Sequence, residues 1–193
     1  MVKTILKEQF IEIPEGVKIN IKAKVVTVEV PLGKISRSFC KVPIQIREVK
    51  DEKDGKLKIS VRIWFSKCKE KSYVISISRH INNMILGVTK GYKYTMMFGS
   101  KHFPIHPIAL KDGKLLQVSN FMGQKYTRKF EAIGDTKIEI PDKPNNKVIY
   151  LKGIDKELLG RVGATIKKSC KSRNLDKRVF KDGILFAAKE VNE

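Results

Sequence analysis

The chain has 193 residues, 41% of them hydrophobic, and it carries 40 lysines and arginines against 20 aspartates and glutamates, a formal net charge of +20 at pH 7. This length suggests one domain or two small ones, the apolar content excludes wholesale disorder, and the lack of an apolar run of about 18 residues excludes a membrane-spanning helix. The excess of positive charge favours a polyanionic partner, with nucleic acid ahead of an anionic membrane surface and of a basic soluble domain that binds neither.

Residues 10–65 predict β-strands. Apolar and polar residues alternate across residues 17–21 and 26–30, a period typical of half-buried strands. A third alternation covers residues 57–63 and follows Asp54-Gly55, a pair typical of a tight hairpin turn. Strands therefore fill most of this segment.

The apolar pattern changes after residue 65. From Val74 to Val88 the apolar residues recur at spacings of three and four, which predicts an amphipathic helix. Gly87 and Gly91 are placed to end it. His80 falls within this helix, where we expect a lone histidine to be structural rather than a metal ligand.

Strand patterns return in the second half of the chain. Their sequence signals are a strand opening at Tyr92, a strand after residues 102–105, a turn at Asp112-Gly113, a strand at residues 115–118, an alternation at residues 138–140 and an apolar run at residues 148–151. Asp155 then stands where an N-cap belongs, and helical spacing from Leu158 to Cys170 predicts a second helix followed by a tail.

Both halves therefore contain strands followed by one helix. The sequence predicts an α+β fold of two tandem similar domains, each an antiparallel sheet with one helix packed on a face. We expect the first domain in residues 1–90 and the second in residues 91–193.

A short pattern occurs twice, once in each half. Residues 25–39 are VVTVEVPLGKISRSF, and residues 115–130 are LLQVSNFMGQKYTRKF. Two ordinary hairpins would explain the pattern alone, but the matching order of elements favours a tandem duplication. We then expect Gly33 and Gly123 in equivalent turns, with Arg37 and Phe39 opposite Arg128 and Phe130.

The cysteines and histidines show no metal-binding spacing. Cys40, Cys68 and Cys170 lie far apart, which fits a reducing compartment with buried or inert thiols. His102 and His106 are separated by Pro104, so we assign both to loops and predict no metal and no cofactor. The chain also lacks phosphate-loop, dinucleotide-binding, serine-hydrolase and zinc-protease motifs, so we expect no enzyme and no small-molecule substrate.

Charge position says more than charge count. Residues 1–90 carry 19 basic and 9 acidic side chains and residues 91–193 carry 21 and 11, so each half nets +10. Basic residues nevertheless cluster towards the C-terminus, where only Asp176 opposes them, and in a second patch that surrounds Tyr126. The candidate RNA-binding residues are Lys167, Lys168, Lys171, Arg173, Lys177, Arg178 and Lys181 in the C-terminal run, and Lys125, Arg128 and Lys129 in the second patch. A solvated helix face, with cations that complement the helix dipole, explains part of the run but not the residues beyond the helix.

Several stretches resemble the universal large-subunit ribosomal protein family called L-six in bacteria and L-nine in eukaryotes. They run in order along nearly the whole chain, and the style of residues 80–94 and 173–184 looks like the eukaryotic branch. The matching stretches are IPEGVKINIKAKVVTVEVPLGKISRSF (13–39), HINNMILGVTKGYKYTM (80–96), HFPI (102–105), NFMGQKYTRKF (120–130) and GIDKELLGRVGATI (153–166).

The resemblance implies a cytoplasmic structural constituent of the large ribosomal subunit. It implies binding to large-subunit rRNA near the sarcin–ricin stem and the stalk base, with the second domain making the main contact. Neighbouring ribosomal proteins and nearby translation factors would be its partners. The alternative is a free-standing basic RNA-binding regulatory protein, although no helix-turn-helix, zinc-finger or aromatic RRM motif supports it.

Overall fold

The chain folds into two compact units, Met1–Thr89 and Lys90–Glu193. The computed structural model describes residues 4–30, 33–50, 57–141, 147–172, 174–176 and 178–192. The predicted Asp54-Gly55 turn lies outside the described residues.

The first unit contains two antiparallel three-stranded sheets and one helix among its described residues. The sheet orders are β1–β6–β5 and β2–β3–β4. The elements are β1 (Thr4–Glu12), β2 (Lys18–Lys22), β3 (Val25–Val30), β4 (Gly33–Ser38), β5 (Gln45–Lys50), β6 (Leu57–Ser66) and α1 (Cys68–Thr89).

Helix α1 begins earlier than its apolar stripe. The Glu70 carboxylate accepts a hydrogen bond from the Lys67 amide at 2.8 Å and so satisfies one of the free donors of the first turn. The predicted end at Gly87 is wrong, because Gly87 is buried within the helix and Val88, fully buried, holds the next turn in the core. The helix ends at Thr89, and Gly91 follows with a φ of +79°.

The second unit repeats this arrangement and adds one strand. The sheet orders are β11–β12–β7–β13 and β10–β9–β8. The elements are β7 (Tyr92–Gly99), β8 (His106–Leu110), β9 (Leu115–Ser119), a 3-10 turn (Phe121–Gly123), β10 (Arg128–Glu131), β11 (Lys137–Glu139), β12 (Val148–Gly153), α2 (Lys156–Ser169) and β13 (Gly183–Val191).

The pairing of strands confirms the predicted fold class of two tandem similar α+β domains. The first, fifth and sixth strands of each unit form one antiparallel sheet, and the second to fourth form another. Each helix follows the sixth strand and packs mainly on the sheet that contains the first, fifth and sixth strands. Asp155 also caps α2 as predicted, because its carboxylate accepts a hydrogen bond from the Glu157 amide at 2.8 Å.

The predicted C-terminal tail is wrong, because β13 occupies the edge of the sheet beside β7. Ile184 pairs with Phe98 and is only 1% exposed. A bulge lies between Phe186 and Ala188, but buried and exposed positions still alternate from Ile184 to Lys189. Residues 184–188 (ILFAA) are all apolar, so the residue types do not alternate and the segment lacks the period-two signal of a half-buried strand.

The predicted equivalence of Gly33 and Gly123 is also wrong. Gly33 begins β4 and pairs with Val30, whereas Gly123 ends the 3-10 turn with a φ of +72°. The connection from β9 to β10 is longer than that from β3 to β4. The glycines therefore fall in unlike elements, although the order of elements matches.

The pairing register corrects the predicted alignment by two residues. Val26 and Leu116 are fully buried at the start of β3 and β9. Arg37 pairs with Val26, and Phe130 rather than Arg128 pairs with Leu116. Arg37 therefore matches Phe130, because the longer connection in the second unit displaces β10 along the sequence.

The cysteine and histidine expectations are met in part. All three cysteines are free, but Cys40 and Cys68 are exposed and only Cys170 is buried. The assignment of His106 to a loop is wrong, because His106 is the first residue of strand β8. The described residues hold no group of three or more potential metal ligands, and none of the described helices has the length and apolar character needed to span a membrane.

Candidate nucleic-acid interface

A groove opens in the second unit where the β9–β10 connection, β10 and the end of α2 converge. Its volume is about 510 Å³. Aromatic, basic and uncharged polar side chains and one methionine line it, and no carboxylate among the described residues does. The lining residues are Phe121, Met122, Gln124, Tyr126, Arg128, Lys129, Phe130, Ser169 and Lys171. We call this cavity the aromatic groove.

The β9–β10 connection takes its shape from left-handed residues. Asn120 and Met122 have φ values of 56° and 53°, and the Asn120 side-chain amide donates to the Pro104 carbonyl at 2.9 Å. Gly123 follows at a φ of +72°, where a Cβ would lie 3.0 Å from the Phe103 ring. Both the backbone conformation and the nearby Phe103 ring therefore favour glycine at residue 123.

Arg128 forms part of one wall of the aromatic groove. Its guanidinium carbon lies 4.5 Å from the centroid of the buried Phe121 ring, and its Nη2 donates to Gln124 Oε1 at 2.6 Å. Its Nη1 is shielded from solvent and has no hydrogen-bond partner among the described residues. The guanidinium thus lies beside the groove with no carboxylate partner among the described residues.

Tyr126 and Lys129 form the outer part of the aromatic groove. Tyr126 is 71% exposed, so its ring is available to a ligand, whereas Phe121 and Phe130 are buried beneath. Lys129 is also exposed. The groove thus combines one accessible aromatic ring with cations and hydrogen-bond donors.

A second groove of about 390 Å³ lies between the end of α2 and the start of β13. Lys171 lines both grooves. Lys167 and Lys181 line the second groove only, and the Lys167 ammonium lies 5.7 Å from the centroid of the Phe186 ring. Burial raises the pKa of the Cys170 thiol in this groove to about 11, and the positive charge of Arg128 works against that rise. Lys171 therefore lies at the border of the two grooves.

The predicted RNA-binding residues that the structure describes fall into three sets, and Lys171 belongs to two of them. The structure brings Arg128, Lys129 and Lys171 to the aromatic groove, and Lys167, Lys171 and Lys181 to the second. Exposed residues that line neither groove are Lys125, Lys168 and Arg178. Arg173 and Lys177 lie outside the described residues.

Sequence reasoning missed the uncharged residues of the aromatic groove. Gln124 and Ser169 line it but belong to no charge pattern. Phe121 supports Arg128 from below, a role that depends on the 3-10 turn. The only sequence signal was the turn-forming character of the segment around Gly123.

Proteins of similar sequence match nearly the whole chain. The large ribosomal subunit protein uL6 of Tetrahymena thermophila is 36% identical over 97% of this chain and 96% of its own length. The chain belongs to the uL6 family. The uL6 of Ignicoccus hospitalis is 32% identical over 99% of both chains, and the uL6A of Schizosaccharomyces pombe is 33% identical over 95% of this chain and 93% of its own. No family model matches the chain.

These uL6 relatives confirm the family resemblance drawn from the sequence. They come from both eukaryotes and an archaeon, and the matches leave almost no part of either chain uncovered. Membership of a ribosomal protein family also confirms the expectation that the chain is not an enzyme.

Proposed function

We propose that this uL6 chain is held in the large ribosomal subunit by rRNA bound to its second unit, Lys90–Glu193. The binding surface consists of the two grooves and the exposed cations beside them. The aromatic groove carries the proposal, because Arg128, Lys129 and Lys171 line it together with an exposed tyrosine and no carboxylate. Phosphates attract such cations, and unpaired bases stack on such rings.

Net charge hardly separates the two parts of the chain, since residues 1–90 and residues 91–193 each net +10. The choice of the second unit depends on where the cations converge. We further propose, from the resemblance, that the rRNA lies near the sarcin–ricin stem and the stalk base. Other ribosomal proteins would be neighbours there, and translation factors would dock nearby.

Two triple variants of the full chain test the choice of surface. One is Lys167→Ala, Lys171→Ala and Lys181→Ala, which removes the cations of the second groove. The matched control is Lys22→Ala, Lys41→Ala and Lys69→Ala, three exposed lysines of the first unit. Both variants lose the same charge, so only the position of the lost charge differs.

Filter retention of purified large-subunit rRNA over a salt series measures the outcome. We expect the second-unit variant to bind more weakly and to lose roughly 0.9 from the log–log salt slope for each phosphate contact removed. The control should stay close to the parent chain. Equal losses would mean that total charge controls binding. Failure of the parent chain to co-sediment with large subunits would favour a free-standing RNA-binding regulator.

A further inference from the structure

We infer that the aromatic groove binds an unstacked RNA nucleotide, whose base stacks on Tyr126 and whose phosphates lie against Lys129 and Lys171. This inference rests on the proposed rRNA binding and specifies the RNA element that the groove takes. The groove is a concave cavity of about 510 Å³, within the range of 300–1,000 Å³ typical of small-ligand sites. A single extruded nucleotide fits a cavity of this size better than the convex surface of an RNA duplex does.

The chemistry of the walls matches a nucleotide in both of its parts. The exposed ring of Tyr126 offers an aromatic face, and base stacking on such rings accepts any of the four bases. Lys129 and Lys171 line the same cavity and can contact the flanking phosphates. Gln124 and Ser169 supply side-chain donors and acceptors for a base edge.

Arg128 gives an independent reason to expect an anion here. Its Nη1 is shielded from water without a partner, and no ion pair among the described residues includes it. The Nη1 side of the guanidinium has lost its hydration without gaining a partner, which is unfavourable, while the Nη2 side stays exposed. A phosphate in the groove would supply the missing negative charge at short range.

The walls are also held in place before any ligand arrives. Phe121 packs beneath the guanidinium of Arg128, and Gln124 accepts from its Nη2. The backbone amide of Gln124 in turn donates a hydrogen bond to the Phe121 carbonyl at 3.1 Å. A site with pre-positioned walls loses less conformational entropy on binding, so stacking contributes more fully to affinity.

The test uses the full chain with Tyr126→Ala, Tyr126→Phe and the control Tyr73→Ala, an exposed tyrosine on α1 of the first unit. The probe is purified large-subunit rRNA, and circular dichroism checks that each variant folds. We expect Tyr126→Ala to weaken binding roughly 5- to 150-fold, while Tyr126→Phe keeps the ring and stays within about twofold of the parent. Tyr73→Ala should have no effect.

Crosslinking identifies the bound nucleotide. Large-subunit rRNA containing 4-thiouridine is irradiated with the parent chain, and mass spectrometry locates the linked peptide. We expect links within residues 121–130, to uridines that chemical probing shows to be unpaired in free rRNA. Links to paired uridines only would overturn the inference. Full binding by Tyr126→Ala would also overturn it if the Lys167, Lys171 and Lys181 variant binds weakly. Either result would leave the proposed function intact. Full binding by that lysine variant would instead reject the proposed surface.

Discussion

A methyl group added at Gly163 would lie 2.6 Å from Cζ of Phe186. Gly163 is buried in α2, and the Phe186 ring of β13 packs over it while meeting the Tyr94 ring edge-on at 6.0 Å. The close approach of helix and strand therefore depends on a residue without a Cβ. Gly160, one turn earlier in the same helix, has no atom within 4 Å of the corresponding position.

The two glycines should respond in opposite directions to alanine. Gly163→Ala should destabilise the second unit by about 1–3 kcal/mol through overpacking, partly offset by the better helix propensity of alanine. Gly160→Ala gains that propensity without a clash and should stabilise by about 0.5–1 kcal/mol. Urea unfolding followed by circular dichroism measures both changes. Stabilisation by both substitutions would show that Phe186 moves aside at little cost.

Much of the fold follows from local sequence patterns, as the two helices show. The spacing of apolar residues from Val74 to Val88 identified α1, and Asp155 identified the start of α2. Both signals are short-range, because they depend on side chains within one or two turns. The edge strand β13 did not follow, since residues 184–188 are all apolar and show no alternation, although Ile184 is buried and Leu185 is exposed.

The grooves were harder to predict than the elements. Lys171 and Lys129 were both found as basic residues, but their meeting at one cavity depends on how α2 packs against β10. The enclosed position of Arg128 over Phe121 depends on three left-handed residues around the 3-10 turn. No charge count or periodicity carries that information, so the sequence predicted the cations and missed the shape.

The capping carboxylate of α2 should contribute measurable stability. Asp155→Ala removes the acceptor for the Glu157 amide and should cost about 1 kcal/mol, within the usual range of 0.5–2. Asp155→Asn keeps an acceptor oxygen and should recover most of the loss. Hydrogen exchange at the first turn of α2, read by mass spectrometry, would report the difference. Equal protection in all three chains would exclude a capping role.

Adjacent residues of β13 should differ sharply if this segment is a strand in the core sheet. Ile184 is 1% exposed and Leu185 is 53% exposed. Ile184→Ala should therefore cost about 2–5 kcal/mol, while Leu185→Ala should stay within about 0.5 kcal/mol. Thermal unfolding of the two variants gives the comparison. Similar small effects at both positions would restore the description of this segment as a tail.

The three thiols should differ in reactivity, because the thiolate is the reactive form. The pKa of Cys170 is raised by burial to about 11, and its side chain is 1% exposed, whereas Cys40 and Cys68 are exposed. Iodoacetamide at pH 8 should modify Cys40 and Cys68 and spare Cys170. All three should react in urea. Peptide mass spectrometry distinguishes the sites, and equal rates for Cys170 and Cys40 in the folded chain would contradict the burial.

The same pKa shift predicts a loss of stability at high pH. The thiol of Cys170 is neutral in the folded chain up to about pH 11, whereas its ordinary pKa is 9.0. Its contribution is therefore complete below pH 9 and declines as pH rises through 11. The buried hydroxyls of Tyr92 and Tyr94, whose pKa values burial also raises, act in the same direction. Urea unfolding at pH 8 and pH 10.5 measures the loss in the free energy of unfolding between these pH values. The parent chain should lose more than Cys170→Ala, and the difference is the contribution of the thiol. Parallel pH profiles in the two chains would show that Cys170 makes no such contribution.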